Sequence, residues 1–141
     1  TLGRSSAASD VYKRQLGADV VALPDPEEIG GDPTVITTED GRAFEYGYHP
    51  VDLAADHTDH PLFAGLGEHP VVRHAHGLHV PDPPDGFTNL ASTPATPVQM
   101  AVHDDRRIVG TQFHPEYWTD DDPAGRTLIA NFLAWSGWSP A

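Results

Sequence analysis

The stretch Gly110-Thr111-Gln112-Phe113-His114-Pro115-Glu116 lies where the last strand-like run of the chain ends, shortly before its clearest amphipathic helix. Pro115 biases His114 away from helical and toward extended backbone. Residues two apart on an extended backbone share a face, so His114 and Glu116 are expected side by side. A carboxylate that accepts from one imidazole nitrogen sets the tautomer and leaves the other nitrogen available as a base. Two members of a nucleophile–base–orienter triad would then be in place. By spacing alone the pair also reads as a solvated histidine and a solvated glutamate at a strand end.

On the C-terminal side, Asp122 can cap a helix and Pro123 suits its first turn. Leu128, Ile129, Phe132 and Leu133 form one apolar stripe for docking on a sheet, and Gly137 is a natural stop. On the N-terminal side, Val98 to His103 and Arg107 to Phe113 read as strands around Asp104-Asp105, a two-residue hairpin turn. Further strand candidates are Phe87 to Ser92, part of Val71 to Val80, Thr34 to Thr38 closing at Asp40-Gly41, and Asp19 to Leu23 before Pro24 and Pro26. Arg42 to Gly67 reads as irregular, punctuated by Gly47, Pro50, Pro61 and Gly65. Imperfect alternation along Met100, Val102 and Ile108 is what a sheet covered on both faces shows. Strands, a hairpin and a packing helix predict an α/β domain, with no internal repeat.

The 141 residues suffice for one domain. With 21 acidic against 8 basic side chains the formal charge is −13, which disfavours general nucleic-acid binding and adhesion to anionic membranes. No stretch approaches the ~20 apolar residues of a spanning helix and no signal segment opens the chain, so a cytoplasmic location is expected. There is no cysteine, which excludes disulfides, cysteine-ligated zinc and any thiol nucleophile within these residues. Residues 1–15 differ from the rest: Arg4, Lys13 and Arg14 face the single acid Asp10, and Ser5-Ser6-Ala7-Ala8-Ser9 has no periodicity. Ser5 to Gln15 resembles translated adapter sequence. Residues 1–15 are therefore expected to be a non-native or disordered head, and residues 16–141 the C-terminal part of a domain entered near Leu16.

The string Gln112-Phe113-His114-Pro115-Glu116, followed by Gly125 and Leu128 to Leu133, resembles the C-terminal signature of class I glutamine amidotransferases. So do Pro61-Leu62-Phe63-Ala64-Gly65-Leu66, His76-Gly77-Leu78-His79-Val80, Pro84-Asp85-Gly86-Phe87, Leu90-Ala91-Ser92, Pro97-Val98-Gln99 and Leu16-Gly17-Ala18-Asp19-Val20. The resemblance implies a flavodoxin-like α/β fold, here truncated at the N-terminus, with a mixed sheet and a C-terminal packing helix. In that family a cysteine on a sharp turn attacks the side-chain amide of glutamine, and backbone N–H groups stabilise the oxyanion. His114 would be the base and proton donor, Glu116 its orienter, and His76, Gly77 and Leu78 would line the glutamine pocket through backbone contacts. The products would be glutamate and ammonia, the ammonia passing to a synthase domain or subunit, with no cofactor or metal implied. The cysteine turn should precede Leu16, and Ser5, Ser6 and Ser9 lack a glycine-flanked elbow to replace it, so this chain is expected to be inactive by itself. Leu78 stands where many relatives carry an acid. A γ-glutamyl hydrolase of the same fold and a non-catalytic interaction module are the alternatives.

The remaining histidines invite a metal reading, because His74, His76 and His79, or His57 and His60, have spacings that can bind zinc or nickel. The competing reading, adopted here, is a histidine-rich polar surface. Asp120-Asp121-Asp122 is most simply a helix start facing the positive end of the macrodipole. Trp118, Trp135 and Trp138 are expected to pack or to rim an interface, and Arg106-Arg107 to be solvated. A parallel sheet without its first strands would leave apolar edges, so poor solubility or association is expected.

Overall fold

The computed structural model describes residues 19–24 and 33–138, so residues 1–15 lie outside the described part. The pairings there are all antiparallel. A ribbon pairs β1 (Val21–Ala22) with β6 (Leu78–His79). A second sheet runs β2 (Val35–Thr37), β3 (Ala43–Pro50), β5 (Val71–His76). β3 is the longest described strand and occupies a stretch expected to be irregular. Its register sets Glu45 opposite His76 and Tyr48 opposite Arg73.

The third sheet runs β4 (Asp52–Leu53), β7 (Thr88–Ser92), β8 (Met100–His103), β9 (Ile108–Thr111). A register shift between Asn89 and Ala91 lets the adjacent residues Leu90 and Ala91 both reach the interior, because a bulge breaks strict alternation. The β8–β9 hairpin is present, but His103 pairs with Ile108, so its loop is Asp104 to Arg107 and not Asp104-Asp105 alone. Arg107 takes a left-handed conformation (φ 55°) to close it, and its guanidinium lies 4.7 Å from the Trp135 ring centre. The second and third sheets meet just beyond β9, where the His114 N–H donates to the Arg73 carbonyl at 2.8 Å.

The helix α1 (Ala124–Trp135) covers this junction. Asp122 does not cap it: Asp122 sits in a turn in which its N–H donates to Thr119 Oγ1, and Pro123 takes the cap position, its carbonyl accepting from Arg126. At the other end Gly137 donates to the Ala134 carbonyl and Trp138 to that of Leu133, the paired bonds of a Schellman stop. The buried core comprises Val51, Leu62, Phe63, Val72, Leu90, Ala91, Met100, Val102, Phe113 and Leu128. Ala124, Phe132 and Trp135 pack against it along the helix, so Leu128 and Phe132 of the expected stripe dock, while Ile129 and Leu133, also half-buried, lie outside this cluster. Asn131 Nδ2 donates to the carbonyls of Leu62 and Ala64, which ties α1 to the 3-10 turn Pro61–Phe63.

Gly125 faces the backbone of Pro115 so closely that a Cβ there would lie 2.2 Å from the Pro115 carbonyl oxygen. Only glycine permits that approach without moving the helix or the turn. Gly125→Ala is expected to destabilise the chain by about 1–3 kcal/mol in urea unfolding. An unchanged midpoint would show that the helix accommodates a methyl group.

Candidate active site

His114 leaves the sheet at its backbone bond to Arg73 and is followed at once by the 3-10 turn Pro115–Tyr117. The expected i, i+2 geometry of an extended strand is therefore replaced by a turn, because Pro115 has a φ that suits the first position of a helical turn. The turn brings Glu116 back beside its neighbour: Glu116 Oε1 lies 2.8 Å from His114 Nδ1. With Nδ1 donating to the carboxylate, Nε2 carries the lone pair. His114 is only 3% exposed, and its Nε2 is buried without a hydrogen-bond partner among the described residues. The Glu116 side chain is 44% exposed, so one end of the pair is dry and the other is wet. The turn is held from outside by Tyr48, whose hydroxyl donates to the Tyr117 carbonyl at 2.8 Å, and from beneath by the Gly125 contact.

A second polar cluster lies inside the molecule. The Glu45 carboxylate is fully buried, with Oε1 2.6 Å from His76 Nε2, 2.7 Å from Gln99 Nε2 and 3.0 Å from Thr96 Oγ1. Thr93 Oγ1 donates to Oε2 at 2.7 Å. His74 Nδ1 stands 3.7 Å from Oε1, and its Nε2 donates to the His49 carbonyl. Burial alone would raise the Glu45 pKa; the His74 ring 3.7 Å away and the hydrogen bond from His76 outweigh it and hold the carboxyl well below the usual carboxylate range. His74, His76 and His79 are thus buried, against the expectation of a polar histidine surface. Glu45, His74 and His76 do bring ligand atoms within 4.8 Å of one another, the spacing a metal ion could use. Both Glu45 oxygens and both His76 nitrogens are already committed to hydrogen bonds, however, so the donor set suits an internal ion pair better than a cation.

Of the residues expected to line a glutamine pocket, His76 turns inward, and Gly77 and Leu78 border a cavity of about 530 Å³ that Leu23, Ala43 and Phe44 also line. Glu45, Thr93 and Thr96 had not been singled out from sequence, and Gln99 only within a string of the family resemblance. Trp135 packs on the core, whereas Trp118 and Trp138 are exposed, with Arg126 lying 5.3 Å from the Trp118 ring centre.

The profile described as "Glutamine amidotransferase class-I" matches residues 11–135, and the chain belongs to that family. Its general role is glutamine hydrolysis with transfer of the ammonia. Among curated relatives, the glutamine-hydrolysing GMP synthase of Xanthomonas oryzae pv. oryzae is 39% identical over 112 residues, covering 75% of this chain and 19% of that protein. The corresponding enzyme of Brucella melitensis is 34% identical over 109 residues, covering 75% of this chain and 20% of that protein. The chain thus spans about a fifth of the length of these relatives. A candidate GMP synthase subunit of Thermoplasma acidophilum superposes with a TM-score of 0.65 at 26% identity, over 89% of this chain and 52% of that one. A glutamine amidotransferase of Thermotoga maritima shares the fold, with a TM-score of 0.55 at 21% identity over 89% of this chain and 42% of that one.

Because the folded-state pKa of Glu45 is depressed below its ordinary 4.5, the stability it contributes is complete above about pH 4.5 and is lost as the pH falls further. Urea unfolding between pH 7 and pH 3 is expected to show that loss. Glu45→Gln should flatten the dependence and cost about 1–3 kcal/mol at pH 7, since it disturbs the acceptor that four buried donors share. A wild-type curve no steeper than that of the variant would refute a buried ionised Glu45.

Proposed function

We propose that this chain forms the base-and-orienter half of a glutaminase site in a GMP synthase-type amidotransferase. The buried Nε2 of His114, with no partner among the described residues, carries this reading. It is a lone pair kept from water and aimed away from Glu116, as a base needs to be when it takes a proton from an incoming nucleophile. The nucleophile, a cysteine by family resemblance, comes from outside these residues, because the chain has none.

In this mechanism His114 Nε2 takes the thiol proton as sulfur attacks the glutamine side-chain amide, and returns a proton to the departing nitrogen so that ammonia leaves. Water then attacks the thioester with the same imidazole as base, which releases glutamate. Glu116 holds the ring in the Nδ1–H tautomer and offsets the positive charge that develops on it. Gly77 and Leu78 border the glutamine pocket. The ammonia passes to a GMP-forming synthase domain or subunit, and the whole operates in the cytoplasm. No described helix is long and apolar enough to cross a membrane.

The chain joined to a nucleophile-bearing N-terminal segment of a close relative is expected to release ammonia from glutamine. His114→Ala should lower kcat by about 10²–10⁴, the usual weight of a positioned base. Glu116→Ala should cost less, because its carboxylate is partly solvated. Glutaminase activity that survives His114→Ala would overturn the assignment. Hydrolysis of γ-glutamyl peptides without ammonia release from glutamine would point to a hydrolase instead.

A further inference from the structure

The buried Glu45 cluster has no part in the proton transfers above, yet the turn it braces leads into the cavity wall. We propose that Glu45 is a positioning residue for the glutamine pocket: it holds His76 as an imidazolium, and the imidazolium pins the Leu78 carbonyl. The proposal deepens the reading given under Proposed function and rests on Gly77 and Leu78 bordering that pocket.

Hydrogen-bond inventory carries the first half. His76 Nε2 faces Glu45 Oε1 at 2.6 Å, and His76 Nδ1 faces the Leu78 carbonyl at 2.8 Å. Neither partner is placed to donate: a carbonyl has no proton, and the Glu45 oxygens already accept from Thr93, Thr96 and Gln99. A neutral imidazole has one N–H and would leave one of these buried contacts as two facing lone pairs. The cation alone satisfies both. His76 is 2% exposed and Glu45 fully buried, so neither can turn to water for a substitute partner. Thr93, Thr96 and Gln99, reaching in from the β7–β8 connection, bring hydrogen bonds and no charge. On the sheet side the titratable neighbours are His74, 3.7 Å from Glu45 Oε1, and His49, whose ring centre is 6.2 Å from that of His74.

Backbone geometry carries the second half. Two successive carbonyls of the turn are committed: that of Gly77 accepts from Leu23 at 3.1 Å and that of Leu78 accepts from the His76 ring. Gly77 also sits against Phe44, where a Cβ would come within 3.2 Å of the ring. Both peptide planes are therefore set, and the Leu78 side chain is left outside at the cavity, 39% exposed. A neutral His76 with its proton on Nε2 would leave the Leu78 carbonyl without its side-chain donor, so that the β1–β6 pairing alone would hold this turn.

The first test uses the 141-residue chain and no catalysis. Ring ¹⁵N spectra at pH 8 are expected to show both His76 nitrogens protonated, and a neutral His76 tautomer would overturn the proposal. Glu45→Gln should raise amide exchange at Gly77, Leu78 and His79 by about tenfold or more beyond the rise that lost global stability causes at α1 amides, in line with the loss of a charged hydrogen bond. Uniform acceleration across the chain would mean a general loss of stability and would count against a positioning role. If Glu45→Gln does not fold, the ring spectra of the unsubstituted chain still decide. In the nucleophile-completed protein Glu45→Gln should raise KM for glutamine about tenfold with kcat little changed; a lowered kcat at constant KM overturns the proposal. Failure of the underlying glutaminase reading shows separately, as activity indifferent to His114→Ala whatever the state of the His76 ring.

Discussion

Among the described residues, the backbone hydrogen bond of the His114 N–H on the Arg73 carbonyl joins the two larger sheets. It sits where β9 has run out and the chain must turn, so the residue that makes it is held on one side by strand geometry and released on the other into a 3-10 turn. That combination presents the imidazole at a sheet edge while burying it. The rest of the site follows from it. Glu116 reaches Nδ1 because the turn doubles back, and the turn can double back because Gly125 lets α1 come against Pro115. A side chain at Gly125 would push apart the two elements that hold the His114 imidazole.

β5 runs beside this junction and serves two polar systems on opposite faces. Val72, His74 and His76 face inward toward Glu45 and the core, while Arg73 faces outward. On that outer face the Arg73 guanidinium lies 4.4 Å from the Tyr46 ring centre and 5.2 Å from that of Tyr48, a stack that offsets its partial desolvation. Tyr48 in turn holds the Tyr117 carbonyl, so the outer face of the sheet and the turn carrying Glu116 are mechanically linked. The inner face instead concentrates charge. An ionised carboxylate inside a small domain is tolerated only when its lone pairs are used, and donors from β3's neighbour strand and from the β7–β8 connection meet that condition.

β3 was hidden in the sequence for a physical reason. In Ala43-Phe44-Glu45-Tyr46-Gly47-Tyr48-His49-Pro50 the large apolar residues Phe44, Tyr46 and Tyr48 alternate correctly, but they lie on the more exposed face, while Ala43 and Glu45 are buried. Hydrophobic periodicity thus points the wrong way, and Gly47, which adopts a left-handed φ of 103° inside the strand, looks like a terminator. The buried histidines misled in the same manner: without Glu45 in view, an alternating histidine pattern reads as solvated. The extra hairpin residues and the misplaced helix cap are smaller errors, since both depend on which of several adjacent turn-forming residues the neighbouring strand or turn engages.

Local chemistry was enough to specify the amphipathic C-terminal helix with its glycine stop and the β8–β9 hairpin, because each depends on residues only a few positions apart; His114 and Glu116 are side by side as expected, but through a 3-10 turn and not along an extended strand. The family resemblance was legible for the same reason, being carried by short contiguous strings. Contacts across long stretches of chain supplied the rest: the register that sets Glu45 against His76, the donors that Thr93, Thr96 and Gln99 bring to it, and the joint between Arg73 and His114. A carboxylate in a sequence carries no sign of whether water or four protein donors will surround it. That difference appears only once distant strands have paired and excluded the solvent.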